Sequence, residues 1–518
     1  MHHKSRFLIP LLSLFICAAA RSADIKLPSV ISSNMVLQRN VEVPLWGWAD
    51  AGEKITVKLG DKNASATAGT DGKWLVKFPS MPAGGPHEIT IEGAAGKSVT
   101  LKNVLFGEVW LCSGQSNMEM QVQSCENAKE DIAAANDPQI RMFTVGKAPN
   151  GAPQTDCPGK WEESSPATVG HFSGVAYFFA QDLKKALNVP VGLLHSSWGG
   201  TPAESWASRS GLEKIEAAKP LLERWDKTAA DFDEAKAKAA YEARVKTWEE
   251  VSAKAKEEKK AAPKKPNYED PRLNPWRVCN LYNGMIAPLI PYAIAGSIWY
   301  QGESNCGRAQ QYRTLFPGMI QSWRTAWNQE NMPFYFVQIA PYNYKAPNGL
   351  PYAELCEAQF MTLKMPNTGM AVIHDVGNVK DIHPKNKKAV GHRLALWALA
   401  KTYGQKDLVF SGPLYKEMKI EGDKIRIGFD HVGGGLAARD GKELTHFTIA
   451  GEDQKFLPAT ATIDAGNVVV HSATVAKPVA VRFAWHEAAE PNLMNKEGLP
   501  ASLFRTDDFK MVTDGKNN

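Results

Sequence analysis

The sequence predicts an α/β protein. A parallel sheet is covered by helices on both faces, with β-rich, sandwich-like regions before and after it and a helical insertion within it. Three observations carry this reading. Between about residues 107 and 405, continuous apolar runs alternate with stretches of helical periodicity, the pattern of strands buried on both faces. On either side of that stretch, apolar and polar residues alternate with period two between turn signals. The chain has 518 residues, more than one ordinary domain holds.

Residues 1–20 read as a signal peptide. Lys4 and Arg6 form a positive start, Phe7 to Cys17 is almost wholly apolar, and Ala18-Ala19-Ala20 offers small residues for cleavage. The apolar run falls short of the roughly 20 residues of a membrane span, so the expected destination is secretion or the periplasm. Residues 24–104 hold alternating runs such as Lys54-Ile55-Thr56-Val57-Lys58-Leu59 and Lys73-Trp74-Leu75-Val76-Lys77-Phe78, with turns at Thr70-Asp71-Gly72-Lys73 and Ala83-Gly84-Gly85-Pro86. They are expected as an N-terminal β-sandwich.

The pattern changes at Gly107. Val109 to Cys112, Val191 to His195, Ala295 to Tyr300, Phe334 to Ile339 and Met370 to Ile373 read as buried strands. Helical stretches fall at Ser173 to Leu187, Gln310 to Trp327 and Lys387 to Lys401, and the central domain spans 105–405. Within it, residues 211–265 are rich in Ala, Lys and Glu and repeat Tyr241, Val245 and Trp248 at i, i+4, i+7, a helical insertion with a solvated charged face. Strand patterns return at Lys424 to Phe429, Val468 to Val470 and Val479 to Trp485, giving a C-terminal β domain over 406–518.

Hydrophobic residues at 44% and charged residues at 22% describe a globular chain, and a net charge of +5, two units of it in the leader, gives no reason to expect nucleic acid as a partner. No later stretch is apolar enough to span a bilayer. Beyond Cys17 the cysteines are Cys112, Cys125, Cys157, Cys279, Cys306 and Cys356. Their irregular spacing, with no C-x-x-C, argues against zinc, and Cys112 and Cys356 sit in apolar runs.

The candidate chemistry centres on Ser116, in Cys112-Ser113-Gly114-Gln115-Ser116-Asn117-Met118. It follows a buried strand, and sites in open α/β sheets form outside the carboxyl ends of strands. A serine hydroxyl is a weak nucleophile until a base, a carboxylate to orient that base and donors for an oxyanion surround it. Trp299-Tyr300-Gln301-Gly302-Glu303-Ser304-Asn305 and Asp381-Ile382-His383-Pro384 supply those residue types. Alone, Gly-Gln-Ser-Asn also reads as a polar turn with Ser116 as an N-cap. It is not the G-x-S-x-G elbow, because Met118 stands two residues after Ser116. Together the segments form the parts list of an esterase, which needs no metal or organic cofactor.

Gly-Gln-Ser-Asn-Met after a strand, a Gly-Gly-Thr segment, Gln-Gly-Glu-Ser-Asn and a late Asp-x-His-Pro resemble the SGNH hydrolases. More narrowly, they resemble the bacterial sialate O-acetylesterase group of carbohydrate acetylesterases. The resemblance covers most of the chain, including its ending from Pro491-Asn492-Leu493 through Phe504-Arg505-Thr506-Asp507. It implies an SGNH-type, flavodoxin-like sheet, with Ser116 as nucleophile and His383 as general base. It also implies an oxyanion hole built from the Ser116 N–H, a glycine N–H of Ser197-Trp198-Gly199-Gly200-Thr201-Pro202 and the Asn305 side chain. Gly200 stands ahead of Gly199 for the glycine, and the Gln301 amide is able to share the role of Asn305. Gln115 and Glu303 are expected to hold loops. The superfamily writes its acid and base Asp-x-x-His; here Lys380 lies three residues before His383 and Asp381 two before. Asp381 is the first choice to orient the imidazole, Asp375 the alternative, and a serine–histidine dyad the third arrangement.

The resemblance further implies an O-acetylated sugar as substrate, a sialic acid first and acetylated xylan or another plant glycan as the alternative class. A sialic acid carries a carboxylate, for which Arg308 or Arg209 is a candidate clamp. The reading of another class is an inactive secreted glycan-binding protein.

Overall fold

The computed structural model describes residues 24–346 and 349–517, so the leader expected at 1–20 lies outside the described residues. One strand organises the molecule. β1, Ser98–Gly114, alternates exposed and covered residues over its first six positions and is wholly buried from Val104 onward. The expected domain boundary at 104–105 therefore falls inside a continuous strand, where its surroundings change from half-solvated to buried. The first part pairs antiparallel with Gly84–Glu92, and Val36–Gln38 runs parallel beside Leu105–Gly107. The N-terminal β region is thus hydrogen-bonded directly onto the central sheet.

Six further strands complete that sheet: β2 (Asp137–Thr144), β3 (Trp161–Ser164), β4 (Val191–Ser197), β5 (Gly296–Tyr300), β6 (Phe334–Val337) and β7 (Thr368–Ala371). Their order is β7-β6-β5-β1-β4-β2-β3. All neighbours are parallel except β2 and β3. The sheet is mixed where the sequence reading expects a parallel one, because β3 returns along β2 as an antiparallel edge. With β2 and β3 set aside the order is 2-1-3-4-5, that of a flavodoxin-like sheet whose switch point flanks the first strand.

Both faces are covered. Val109, Leu111, Trp299, Phe334 and Phe336 pack into one core with helix α2 (Ala309–Ala326) and helix α3 (Leu350–Met361). Alternate residues Trp110, Cys112, Ile298, Tyr335 and Val337 pack into a second core with α1 (Gly174–Leu187) and α4 (Lys387–Trp397). The period-two alternation of strand side chains sorts each apolar run between the two layers.

The insertion forms helices at Lys219–Ala230 and Glu234–Glu257, and the second buries no residue fully. Its Tyr241 and Trp248 stripe is covered by the returning segment instead: Tyr241 meets Tyr268 edge-on, and the Trp248 indole donates to Pro263 O at 2.7 Å. The C-terminal strands include an antiparallel sheet of Leu414–Glu421, Lys424–Asp430, Asn467–His471 and Thr460–Asp464. Ser502 joins this region to the central domain through Gln338 Nε2, at 3.0 Å. All six cysteines from Cys112 to Cys356 are buried and unpaired. Among the described residues no helix is long and apolar enough to cross a membrane.

At the end of β1, Gly114 has φ +142°, and a Cβ placed on it would lie 2.1 Å from Tyr300 O. Gly114→Ala is expected to cost at least about 2 kcal/mol of folding stability, read as a lower denaturant midpoint. An unchanged midpoint would show that β1 and β5 separate easily at this level.

Candidate active site

Three loops leave the sheet at one level, because Gly114 is in register with Ser197 on one side and Tyr300 on the other. The β1 loop enters a single helical turn, Ser116–Glu119, whose first N–H groups have no acceptor within the turn. Gln115 ties this turn to the β5 loop. Its N–H donates to Tyr300 O at 2.9 Å, and its Oε1 accepts from Gly302 and Ser304 N–H, each at 3.4 Å.

Ser116 Oγ lies 2.7 Å from His383 Nε2. With Nε2 accepting the serine proton, the other ring nitrogen, Nδ1, carries the hydrogen. That nitrogen is 4.0 Å from Asp381 Oδ1, beyond hydrogen-bonding reach. The same carboxylate oxygen accepts the His383 backbone N–H at 2.9 Å, so Asp381 fixes the loop and acts on the ring through its charge. Asp375 does not face His383: Arg393 binds both its oxygens at 2.6 Å.

A polar network runs beneath the pair. The Asn117 amide donates to Ile382 O at 3.0 Å and to Glu303 Oε1 at 2.7 Å, while Asn117 Oδ1 accepts from Lys387 Nζ at 2.5 Å. The residue after Ser116 thus grips the residue before His383. Lys387 is fully buried, and its ammonium lies 5.2 Å from the Tyr300 ring centroid. Burial pulls Lys387 down to about 8 and raises the Glu303 carboxyl. Burial, then the Lys387 charge, lowers His383 below its ordinary value against the opposing pull of Asp381. Sequence reasoning missed Asn117, although it stands in the serine motif, and Lys387, whose helix start gives no sign of burial.

Of the two glycines, Gly199 is the one that borders Ser116. A Cβ on it would lie 3.1 Å from Ser116 Cβ, whereas Gly200 takes φ +74° in the turn with open space around it. The Gly199 N–H donates to Glu119 Oε2 at 2.6 Å, and Glu119 Oε1 meets Lys147 Nζ, also at 2.6 Å. Neither Glu119 nor Lys147 was singled out from sequence, though a helical turn brings positions i and i+3 together. They line an open cleft of about 490 Å³ with Ser116, Trp198, Gly199 and His383.

Asn305 and Gln301 belong to a buried hydrogen-bond network beside the Gly-Gly loop. Asn305 Nδ2 donates to Glu204 Oε2 at 3.0 Å, and its Oδ1 accepts from Ala203 N–H and Gln301 Nε2. Gln301 also donates to Thr201 O and accepts from Tyr312. Both side chains are buried and brace the Gly-Gly loop against the β5 loop: Gln301 uses both its amide N–H groups there, and Asn305 uses one of its two. Arg308 pairs with buried Glu204 at 2.7 Å, and Arg209 with Asp226 at 2.7 Å; both guanidinium groups are held in ion pairs. Buried His195 and His374 are each pulled down to about 4 by burial and bond to Ser197 and Gln338.

Residues 272–400 match the family described as carbohydrate esterase, sialic acid-specific acetylesterase. The chain is 30% identical to the sialate O-acetylesterase of Rattus norvegicus, covering 92% of each protein. It is 28% identical to that of Homo sapiens, over 90% of this chain and 89% of that one. The crystal structure of a carbohydrate acetylesterase from Xanthomonas citri superposes with a TM-score of 0.80 at 37% identity, covering 94% of this chain and 100% of that one.

Two variants test the electrostatics. Neutral His383 is the form that accepts a proton, so activity falls as pH drops through its folded pKa. Lys387 remains charged in that range and holds the pKa down. Lys387→Met is therefore expected to move the acid limb of the kcat/KM profile to higher pH, and an unmoved limb would contradict the coupling. Asp381→Asn is expected to lower kcat about ten- to a hundredfold, well short of the ~10⁴-fold that follows loss of a carboxylate bonded to the ring. A full ~10⁴-fold loss would mean that Asp381 reaches Nδ1 during turnover.

Proposed function

The chain belongs to the sialate O-acetylesterase family, and on that footing we propose that it hydrolyses O-acetyl esters of sialic acids through an acetyl-Ser116 intermediate. The observation that carries this is the 2.7 Å contact of Ser116 Oγ with His383 Nε2, at the carboxyl end of the central strand. Ser116 Oγ attacks the acetyl carbonyl as its proton passes to His383 Nε2. The negative oxygen of the tetrahedral intermediate is held by the backbone N–H groups of Ser116 and Gly199. The bond to the sugar oxygen then breaks, and His383 returns the proton to that oxygen. Water repeats the sequence: His383 takes its proton, hydroxide attacks the acetyl carbon, and acetate leaves as Ser116 regains its proton.

The strand order and the four motif segments support assignment to the SGNH hydrolases, with the oxyanion contacts drawn from backbone rather than from Asn305. The charged, apolar and small-residue pattern of residues 1–20 supports export of the mature enzyme. One observation favours acetylated plant glycans as a second substrate class: Arg308 and Arg209, the expected carboxylate clamps, are both held in ion pairs.

The deciding experiment is acetate release from O-acetylated sialic acid and from acetylated xylan, side by side, with Ser116→Ala as control. Release from the sialic acid that Ser116→Ala abolishes, with an unchanged melting temperature, is the expected result. Release from xylan alone would move the enzyme to the plant-glycan esterases, and near-normal turnover by Ser116→Ala would end the serine mechanism.

A further inference from the structure

Glu119 occupies two donors at once. One carboxylate oxygen accepts the Gly199 N–H and the other meets Lys147 Nζ, each at 2.6 Å. Gly199 borders Ser116: a Cβ placed on it would lie 3.1 Å from Ser116 Cβ. Lys147 is the one lysine or arginine among the residues lining the cleft, and its ammonium is steadied 5.3 Å from the Trp198 ring centroid. The Lys147 and Glu119 side chains are 43% and 34% exposed, so the pair is screened by water and is held weakly. A single-turn backbone carries Glu119, and rotation of its side chain alone would free both donors.

We propose that Lys147 is the specificity residue for the carboxylate of the sugar, and that Glu119 is a resident stand-in which that carboxylate displaces. This rests on the sialate reading above. The two oxygens of Glu119 stand where a sialate ester presents negative charge: its carboxylate at Lys147, and the developing oxyanion at Gly199. Exchange of one carboxylate for another at Lys147 keeps the charge balance of the cleft while Glu119 turns to water and the Gly199 N–H opens to the acetyl oxygen. A neutral ester has no group to exchange for Glu119, so the Gly199 donor is uncovered for it only at the cost of leaving Lys147 without a partner. Recognition of the acid and assembly of the oxyanion site are thereby one event.

The test compares O-acetylated sialic acid with the same sugar methylated at its carboxylate, by kcat/KM. Wild type is expected to favour the free acid about ten- to a hundredfold, the range of a charge-assisted contact. Lys147→Met should bring the ratio of the two substrates close to one, and Lys147→Arg should restore part of it. Glu119→Gln should narrow the ratio from the other side by raising turnover of the methyl ester. Equal rates in wild type, or a ratio that survives Lys147→Met, would overturn the proposal while leaving the esterase assignment intact. If wild type releases acetate from xylan but from neither sialic acid derivative, the substrate reading itself fails and this proposal with it.

Discussion

Gly114 is the point at which three strands must stop together. It lies beside Ser197 on one side and Tyr300 on the other, and the backbone of Tyr300 comes so near that no side chain fits. Because the strands end level, the loops they release are at one height, and each needs only a few residues to reach the others. Ser116 follows from β1, the glycine beside it from β4 and the bracing amides from β5. Packing on both faces of the sheet fixes that height: the strand ends are positioned by two separate cores, so a shift of one loop relative to another would disturb well-packed side chains.

The second constraint is electrostatic. A buried lysine is costly unless its charge is satisfied, and Lys387 is satisfied by one amide oxygen and an aromatic face. That arrangement does two things. It holds Asn117, which in turn holds the serine turn to the histidine loop, and it biases His383 toward the neutral form that accepts a proton. Asp381 works in the opposite direction on the ring while securing its backbone. The protonation of His383 is set first by its own burial, and then by a buried cation and a half-exposed anion that act in opposite directions.

The sequence made some of this legible and left the rest hidden for physical reasons. Alternating strands and helices, the helical insertion and the two flanking β regions are written in residue periodicity, which is local. Ser116 and His383 stand out because few residue types do their chemistry. What periodicity does not encode is the direction of an amide. Asn305 and Gln301 carry suitable donors, yet their surroundings, Glu204 and Thr201 among them, draw those amides into a buried network. Arg308 is likewise claimed by Glu204, a contact across about a hundred positions that no spacing reveals. The continuity of β1 through the expected boundary was hidden because only its buried later part, Val109 to Cys112, reads as a distinct strand, while its half-solvated start lies in a different environment.

The burial of the cysteines has a chemical consequence. Burial pushes all six of these thiols upward in pKa, so each is kept as the unreactive acid inside apolar packing. The architecture draws none of its stability from covalent cross-links between these residues. Each of these thiols is thereby withheld from reagents that act on an exposed thiolate.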